Sequence, residues 1–235
     1  MSTTNFESFK KATEKWKLLV AADIVAFAFF NNHLRVLLVK RKYEPGIADW
    51  AIPGGFVRET ENLEESAVRE LKEETGLAKN CYLEQLYTFG KVKRDPRARV
   101  ISVAYLALIA EPEKIKLKAS DDAVDAAWFP LTDLPKLAFG ESHREILNYA
   151  GQRLKWKFEY TNVAFSLLHK EFTLTELQRL YEAVYSRKLD KRNFRKKVLS
   201  LDLIEQTDKT KQEFGRPAQL YRARTTKLKI YSKIV

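Results

Sequence analysis

The sequence predicts an α+β fold in two parts. Three observations carry that reading: the order of strand-like and helical stretches through residues 1–150, a change of character beyond residue 160, and a charge imbalance confined to the second part. Residues 1–150 hold 22 Lys+Arg against 22 Asp+Glu, whereas residues 151–235 hold 20 against 9, so the whole net charge of +11 lies in the tail. Two parts with different partners is the simple explanation of that asymmetry, and a basic domain that merely aids solubility is the plain alternative. With 45% apolar and 31% charged residues, the 235-residue chain has material for one large or two modest cores. No apolar run approaches the roughly 18 residues of a membrane span, and the start MSTTNFESFKK lacks the apolar segment of a secretory signal. A single cysteine, Cys81, permits neither an internal disulfide nor a cysteine-based zinc site, which fits a reducing, cytoplasmic setting.

After an amphipathic lead-in, FESFKKATEKWKLL, the runs VAADIVAFAFF and LRVLLVKRKY read as two strands, with NNH between them as a hairpin signal. A loop punctuated by glycine and proline follows, EPGIADWAIPGG. A helix then begins after Glu61 and Asn62; Leu63, Ala67, Val68 and Leu71 form its apolar stripe and Gly76 ends it. The stretches CYLEQLYTFG and RVISVAYLALIA are strand-like and flank a polar, arginine-bearing connection, KVKRDPRA. A short strand bounded by turns in DDAVDAAWFPLTDLP and a closing helix in ESHREILNYAGQRLKW complete residues 1–150. The order offers too few βαβ repeats for a doubly wound sheet. In residues 151–235, NVAFSLLHK, FTLTELQRLYEAVYS and DKRNFRKKVLSL read as three short helices, and LIEQTDK and LYRARTT as a strand pair around TKQEFGRPAQ. Thr173 and Glu176 have the T-x-x-E spacing of a capping box, and Asp190 is an N-cap candidate for the third helix. Three helices followed by a β-hairpin is the order of a winged helix-turn-helix.

The helix ending at Gly76 breaks a local rule. Glu70, Glu73 and Glu74 stand at i, i+3 and i+4 in its last turns, where like charges cost about 0.2–0.5 kcal/mol per pair and the macrodipole disfavours anions. A divalent cation with hard oxygen ligands would compensate them; a solvated acidic face is the alternative. Extended to Gly55–Leu77, the stretch GFVRETENLEESAVRELKEETGL matches the Nudix box G-x(5)-E-x(7)-R-E-U-x-E-E-x-G-U at every defining position, and residues 1–150 therefore resemble the Nudix family. The resemblance implies an α/β/α sandwich with a mixed sheet. It also implies a site for Mg²⁺ or Mn²⁺ held by Glu70, Glu73, Glu74 and the carbonyl of Gly54, in which Arg69 orients a carboxylate and Glu61 supports the loop. Mg²⁺ in such a site neutralises phosphates and activates a water for attack on phosphorus. The region Tyr82–Leu108 looks like the matching part of Nudix proteins that act on or bind ADP-ribose. Arg94, Arg97 and Arg99 are candidates for phosphate or another polar ligand, since guanidinium forks match phosphate oxygens, and Trp50 for the border of the pocket.

On a helix starting after Asp190, Phe194, Val198 and Leu201 share an apolar side, while Lys191, Arg192, Asn193, Arg195 and Lys196 fall mostly elsewhere. That is the layout of a recognition helix, with a buried stripe fixing its angle and the remainder reaching bases and phosphates. The strand pair adds Lys209, Lys211, Arg216, Arg222 and Arg224. The segments DKRNFRKK and GRPAQLYR resemble the tail of the Nudix-related transcriptional regulators, in which a Nudix domain precedes a winged helix; the resemblance covers about residues 15 to 228. It implies a ligand-responsive repressor of NAD-cofactor or pentose-sugar genes, divided as 1–150 and 151–235, with ADP-ribose or arabinose as effector. A homodimer on operator DNA, and no membrane, complete that expectation. The alternative implied by the complete box is a Mg²⁺-dependent ADP-ribose pyrophosphatase with an accessory tail. His33, His143 and His169 are too scattered in sequence to argue a shared site.

Overall fold

The computed structural model describes residues 18–76, 81–115, 117, 123–212 and 216–231, the side chains of Glu74 and Thr75 excepted. Residues 1–17 of the amphipathic lead-in lie outside the described ones. Strands β1 (Leu19–Phe30) and β2 (His33–Arg41) form the expected hairpin. Its turn residues Asn31 and Asn32 have φ of 51° and 61°, the left-handed pair that two-residue hairpin turns demand and asparagine tolerates. Short strands β3 (Trp50–Ala51) and β4 (Gly54–Phe56) lie within the expected loop; at two and three residues they are too brief for alternation to reveal them. Helix α1 (Leu63–Thr75) follows, then β5 (Tyr82–Phe89), β6 (Val100–Ile109), β7 (Ala123–Pro130) and helix α2 (Gly140–Tyr160).

The sheet runs β3-β2-β1-β6-β5, with β4 also on β1 and β7 also on β2, and it is mixed: β1 and β6 pair in parallel from Leu19↔Val100 to Ala28↔Ile109. A central strand covered on both faces has little use for polar residues, hence the near-continuous apolar run of β1. Its alternate residues divide between two cores. Ile24, Ala26 and Ala28 pack with Ala67 and Leu71 of α1, and Val25 and Phe27 with Ile146, Leu147 and Leu154 of α2. The result is the α/β/α sandwich. Val68, expected in the stripe of α1, is 38% exposed because it lies about 100° round the helix from Ala67. A capping box between Asn62 and Glu65 opens α1, and Gly76 closes it at φ 73° with its N–H on the Lys72 carbonyl.

Helix α2 runs unbroken through Gly151, and the second core does not stop with it. Phe158, Leu167, Leu177, Leu180, Tyr181 and Phe194 extend the same apolar cluster into the tail. The first of the three expected tail helices is a 3-10 turn, Val163–Leu167. Thr161 terminates α2, its Oγ1 donating to the Lys157 carbonyl and accepting from the Val163 N–H, and five residues remain to bury Val163, Ala164 and Leu167. Beyond it come β8 (Phe172–Thr173), α3 (Leu174–Tyr185), α4 (Lys191–Ser200), β9 (Ile204–Lys211) and β10 (Ala218–Ala223), with a small antiparallel sheet ordered β8-β10-β9. The capping box of α3 is formed, with Thr173 N–H to Glu176 Oε2 at 2.7 Å and Glu176 N–H to Thr173 Oγ1 at 3.1 Å. Asp190 Oδ1 caps α4 by accepting from the Asn193 N–H at 2.8 Å.

Candidate functional site

The carboxylates of α1 are held by one guanidinium. Arg69 grips Glu61 with both arms, Nε to Oε2 at 2.7 Å and Nη2 to Oε1 at 2.6 Å, while its Nη1 reaches Glu70 Oε1 at 2.6 Å and Glu73 Oε2 at 3.1 Å. The hydrogen bonds from Arg69 hold the Glu61 carboxyl down at about 2, and Glu61 in turn accepts from the Arg58 N–H at 2.8 Å, closing the loop. Burial pushes the Glu70 carboxyl up, with Arg69 opposing it. A Cβ at Gly55 would stand 2.2 Å from Glu70 Oε1, so a side chain there would displace that carboxylate. At Gly54 a Cβ would meet the Ala22 carbonyl oxygen at 2.4 Å and the Asp23 Cα at 2.8 Å, so glycine there lets β4 lie against β1. Hard carboxylate oxygens beside a backbone carbonyl suit Mg²⁺ or Mn²⁺. Of the residues expected to hold such an ion, Glu70 and Glu73 are described; the Glu74 side chain and Leu77 lie outside the described residues, and among the described ones no three ligating side chains are gathered.

Next to Gly54 opens a cleft of about 230 Å³. Its floor is polar. Asp23 of β1 accepts from Arg94 Nη2 at 3.2 Å and from the Ser102 hydroxyl of β6, all three side chains being buried. His143, on the first turn of α2, accepts the Ile52 N–H on Nδ1 at 3.2 Å, and burial pushes its imidazole down to about 4, so it is neutral at physiological pH. The rim is aromatic and cationic: the guanidiniums of Arg41 and Arg97 lie 5.0 and 5.2 Å from the Phe139 ring, and Arg97 also faces Phe56 at 5.1 Å. Arg97 is aimed by a two-pronged pair with Asp95, Nε to Oδ1 at 3.0 Å and Nη2 to Oδ2 at 2.8 Å. Such a cleft offers guanidinium forks to phosphate and flat faces to a ring.

Of the four sequence-picked ligand residues, Arg94 and Arg97 line the cleft. Arg99 turns back to the Lys91 carbonyl at 3.2 Å, and Trp50 packs edge-on against Phe129 at 4.6 Å, joining the core. Asp23, Arg41, Phe139 and His143 escaped the sequence reading. Asp23 had a signal, the lone charge in an otherwise apolar strand; His143 had none, since its neighbours come from β1, β3 and the β5–β6 connection.

At the other end of α2, Lys191, Arg192, Asn193 and Lys196 stand exposed on α4, and Arg216 is exposed between β9 and β10. Phe194 and Val198 are buried, as a recognition helix requires. Arg195 behaves differently, its Nη2 donating to Thr175 Oγ1 at 3.2 Å on α3. The other four wing cations are paired within their own domain: Lys209 with Glu171 at 3.1 Å, Lys211 with Glu176 at 2.6 Å, Arg222 with Glu205, and Arg224 with Asp202 at 3.0 Å. Glu182 and Gln178 of α3 fix the turn into α4, accepting the Leu189 N–H and donating to its carbonyl, both at 3.0 Å.

Comparison with known proteins agrees with this two-part geometry. Residues 20–150 match the NUDIX domain, and residues 164–223 match the NrtR DNA-binding winged helix domain. The ADPR responsive transcriptional repressor NtrR of Acinetobacter baylyi is 37% identical over 210 residues, 87% of this chain and 81% of that protein. Shewanella oneidensis NrtR, crystallised with a 27mer DNA, superposes with a TM-score of 0.77 at 35% identity, covering 87% of this chain and 93% of that one. The NUDIX domain of the same protein, crystallised with ADP ribose, gives a TM-score of 0.58 at 32% identity over 66% of this chain and 99% of that one. Sandwich, winged helix and the core that joins them show that the chain belongs to the Nudix-related transcriptional regulators of the NrtR type.

Proposed function

We propose that this chain is a transcriptional repressor whose Nudix cleft binds ADP-ribose and whose winged helix binds operator DNA when the cleft is empty. The observation that carries the reading is the path of α2. Its first turn lines the cleft through Phe139 and His143 and bonds it, Ser142 Oγ donating to the Arg94 carbonyl at 2.7 Å. Its last turn places Phe158 5.0 Å from Tyr181 of α3, whose ring lies 5.3 Å from Phe194 of the recognition helix. One rigid element thus touches both sites. ADP-ribose releases DNA to the extent that it prefers the conformation with lower DNA affinity; a hundredfold preference corresponds to about 2.7 kcal/mol. Arg94 and Arg97 are suited to its pyrophosphate, and Phe139 to a planar ring. ADP-ribose is favoured over arabinose because the Acinetobacter relative is named for ADPR and the Shewanella NUDIX domain was crystallised with ADP ribose, and because the cleft presents phosphate-binding groups.

The test is a gel-shift titration of the full chain on DNA upstream of its neighbouring genes, with ADP-ribose and arabinose as separate additions. Sequence-dependent binding that ADP-ribose weakens and arabinose does not is the expected result. Binding without sequence preference would overturn the repressor reading, and binding indifferent to ADP-ribose the effector. A role on the chromosome places the protein in the cytoplasm.

A second reading, ADP-ribose pyrophosphatase, is favoured by the intact box and its Arg69 web. Glu70, Glu73 and Glu74 with the Gly54 carbonyl would hold Mg²⁺ or Mn²⁺, which supplies charge neutralisation and an activated water. Arg69 holds Glu70 and Glu73 in place, and Glu61 holds Arg69. Metal-dependent formation of AMP and ribose 5-phosphate, lost in Glu74→Gln, would establish it; turnover at the uncatalysed rate would dismiss it.

A further inference from the structure

Arg195 belongs to the recognition helix by sequence, yet it does not follow Lys191, Arg192 and Lys196 into solvent. Its Nη2 donates to Thr175 Oγ1 at 3.2 Å in the first turn of α3, and its Nε is buried with no hydrogen-bond partner among the described residues. At roughly 100° per residue, Arg195 sits a quarter-turn round α4 from the buried Phe194, whereas Arg192 and Lys196 lie nearly opposite that residue. Lys191, Arg192 and Lys196 are exposed and make no ion pair among the described residues. The five candidates on this helix therefore divide into an outward set and one flanking strut.

We propose that Arg195 is a positioning residue: its bond to Thr175 sets the rotation of α4 about its own axis and thereby decides which outward side chains reach the bases. Phe194 and Val198 are the buried residues of the helix itself, and with Leu201 at its C-cap they form a narrow apolar seam about which a ten-residue helix can roll. The Asp190 cap and the Glu182–Leu189 bond fix where the helix starts, not how it is turned. A third contact at the flank, from a residue adjoining the seam, removes that freedom. The inference rests on the reading of α4 as the DNA-binding helix.

A strut and a phosphate contact differ in salt dependence. Each lost phosphate contact makes the slope of log affinity against log salt shallower by about 0.9, while a lost strut leaves the slope unchanged and lowers sequence discrimination. The full-length chain is used to select a duplex from a random-sequence pool. Affinity for the selected duplex and for the unselected pool is then measured over a range of salt for Arg192→Ala, Arg195→Ala, Thr175→Val, Thr175→Ser and the Arg195→Ala/Thr175→Val pair, with thermal melting of each. Arg192→Ala shallows the slope. Arg195→Ala and Thr175→Val each weaken the selected complex by about tenfold, without change of slope or of pool binding, and lower melting by no more than the few degrees that loss of one hydrogen bond brings. The pair is no worse than Arg195→Ala, because both changes remove the same bond, and Thr175→Ser restores affinity. A shallower slope in Arg195→Ala overturns the inference, as does undiminished discrimination. Should Arg192→Ala also leave slope and affinity untouched, the DNA-binding reading of α4 fails first, an outcome distinct from failure of the strut alone.

Discussion

Replacing Phe158 by alanine tests whether the two parts of this chain fold as one cooperative body. Phe158 is fully buried at the end of α2, where the core of the sandwich passes into the winged helix, and its ring meets Tyr181 at 5.0 Å. Truncating a buried phenylalanine costs about 3–5 kcal/mol, the lost transfer energy plus the cavity left behind. For a chain of this size each kcal/mol lowers the melting temperature by about 2–4 °C, so a fall of roughly 6–20 °C is expected. Trp156, two residues earlier but 45% exposed, is the internal control, since its replacement by alanine changes stability by about 0.5 kcal/mol or less. Equilibrium denaturation is followed by tryptophan fluorescence and by far-ultraviolet circular dichroism. Trp50 and Trp128 report on the sandwich, whereas dichroism sums both parts. A single transition, coincident by the two probes and displaced as a unit in Phe158→Ala, is the expected result. Two separated transitions, only one of them displaced, would refute the shared core, and a loss below about 1 kcal/mol would refute the packing argument.

Other expectations follow from particular groups. His143 is neutral in the fold, its imidazole lowered from 6.5 to about 4 by burial. The unfolded chain therefore binds more protons between those values, and this contribution to stability is full above pH 6.5, lost on acidification towards pH 4, and absent from His143→Gln in melting curves taken across that range. Glu61 is lowered from 4.5 to about 2 mainly by its bonds from Arg69, so its contribution is present above pH 4.5 and lost as the pH falls through 2; Arg69→Met abolishes that part of the acid dependence. Arg97→Ala removes a guanidinium from the cleft and leaves the buried Asp95 carboxylate without its two-pronged partner, so the melting temperature falls as well; calorimetry below that melt should show ADP-ribose affinity down about tenfold with DNA affinity unchanged. Sedimentation equilibrium should show a homodimer, whose two recognition helices span half-sites about 34 Å apart on the operator; a monomer on one half-site would dismiss that arrangement.

What the sequence by itself determined is local. Thr173 and Asp190 open helices because a short polar side chain satisfies an N–H three residues on, and Gly76 closes one because glycine alone accepts the left-handed turn at no cost. The box was legible for the same reason, since Glu61, Glu70 and Glu73 all lie within eight residues of the Arg69 that holds them. The apolar run of β1 and the basic excess beyond residue 150 were likewise written along the chain. The tertiary structure decided the rest. The cleft exists because β1 pairs in parallel with β6, bringing Ser102 to Asp23 and laying Arg94 across both, while α2 returns Phe139 and His143 to the same place. Tertiary packing also turned Arg195 onto Thr175, tied the wing cations to their own domain's carboxylates and ran one core through both parts. Periodicity and capping act within a few residues of the backbone, whereas these contacts join positions separated by 17 to 91 residues, whose meeting depends on strand order and helix packing.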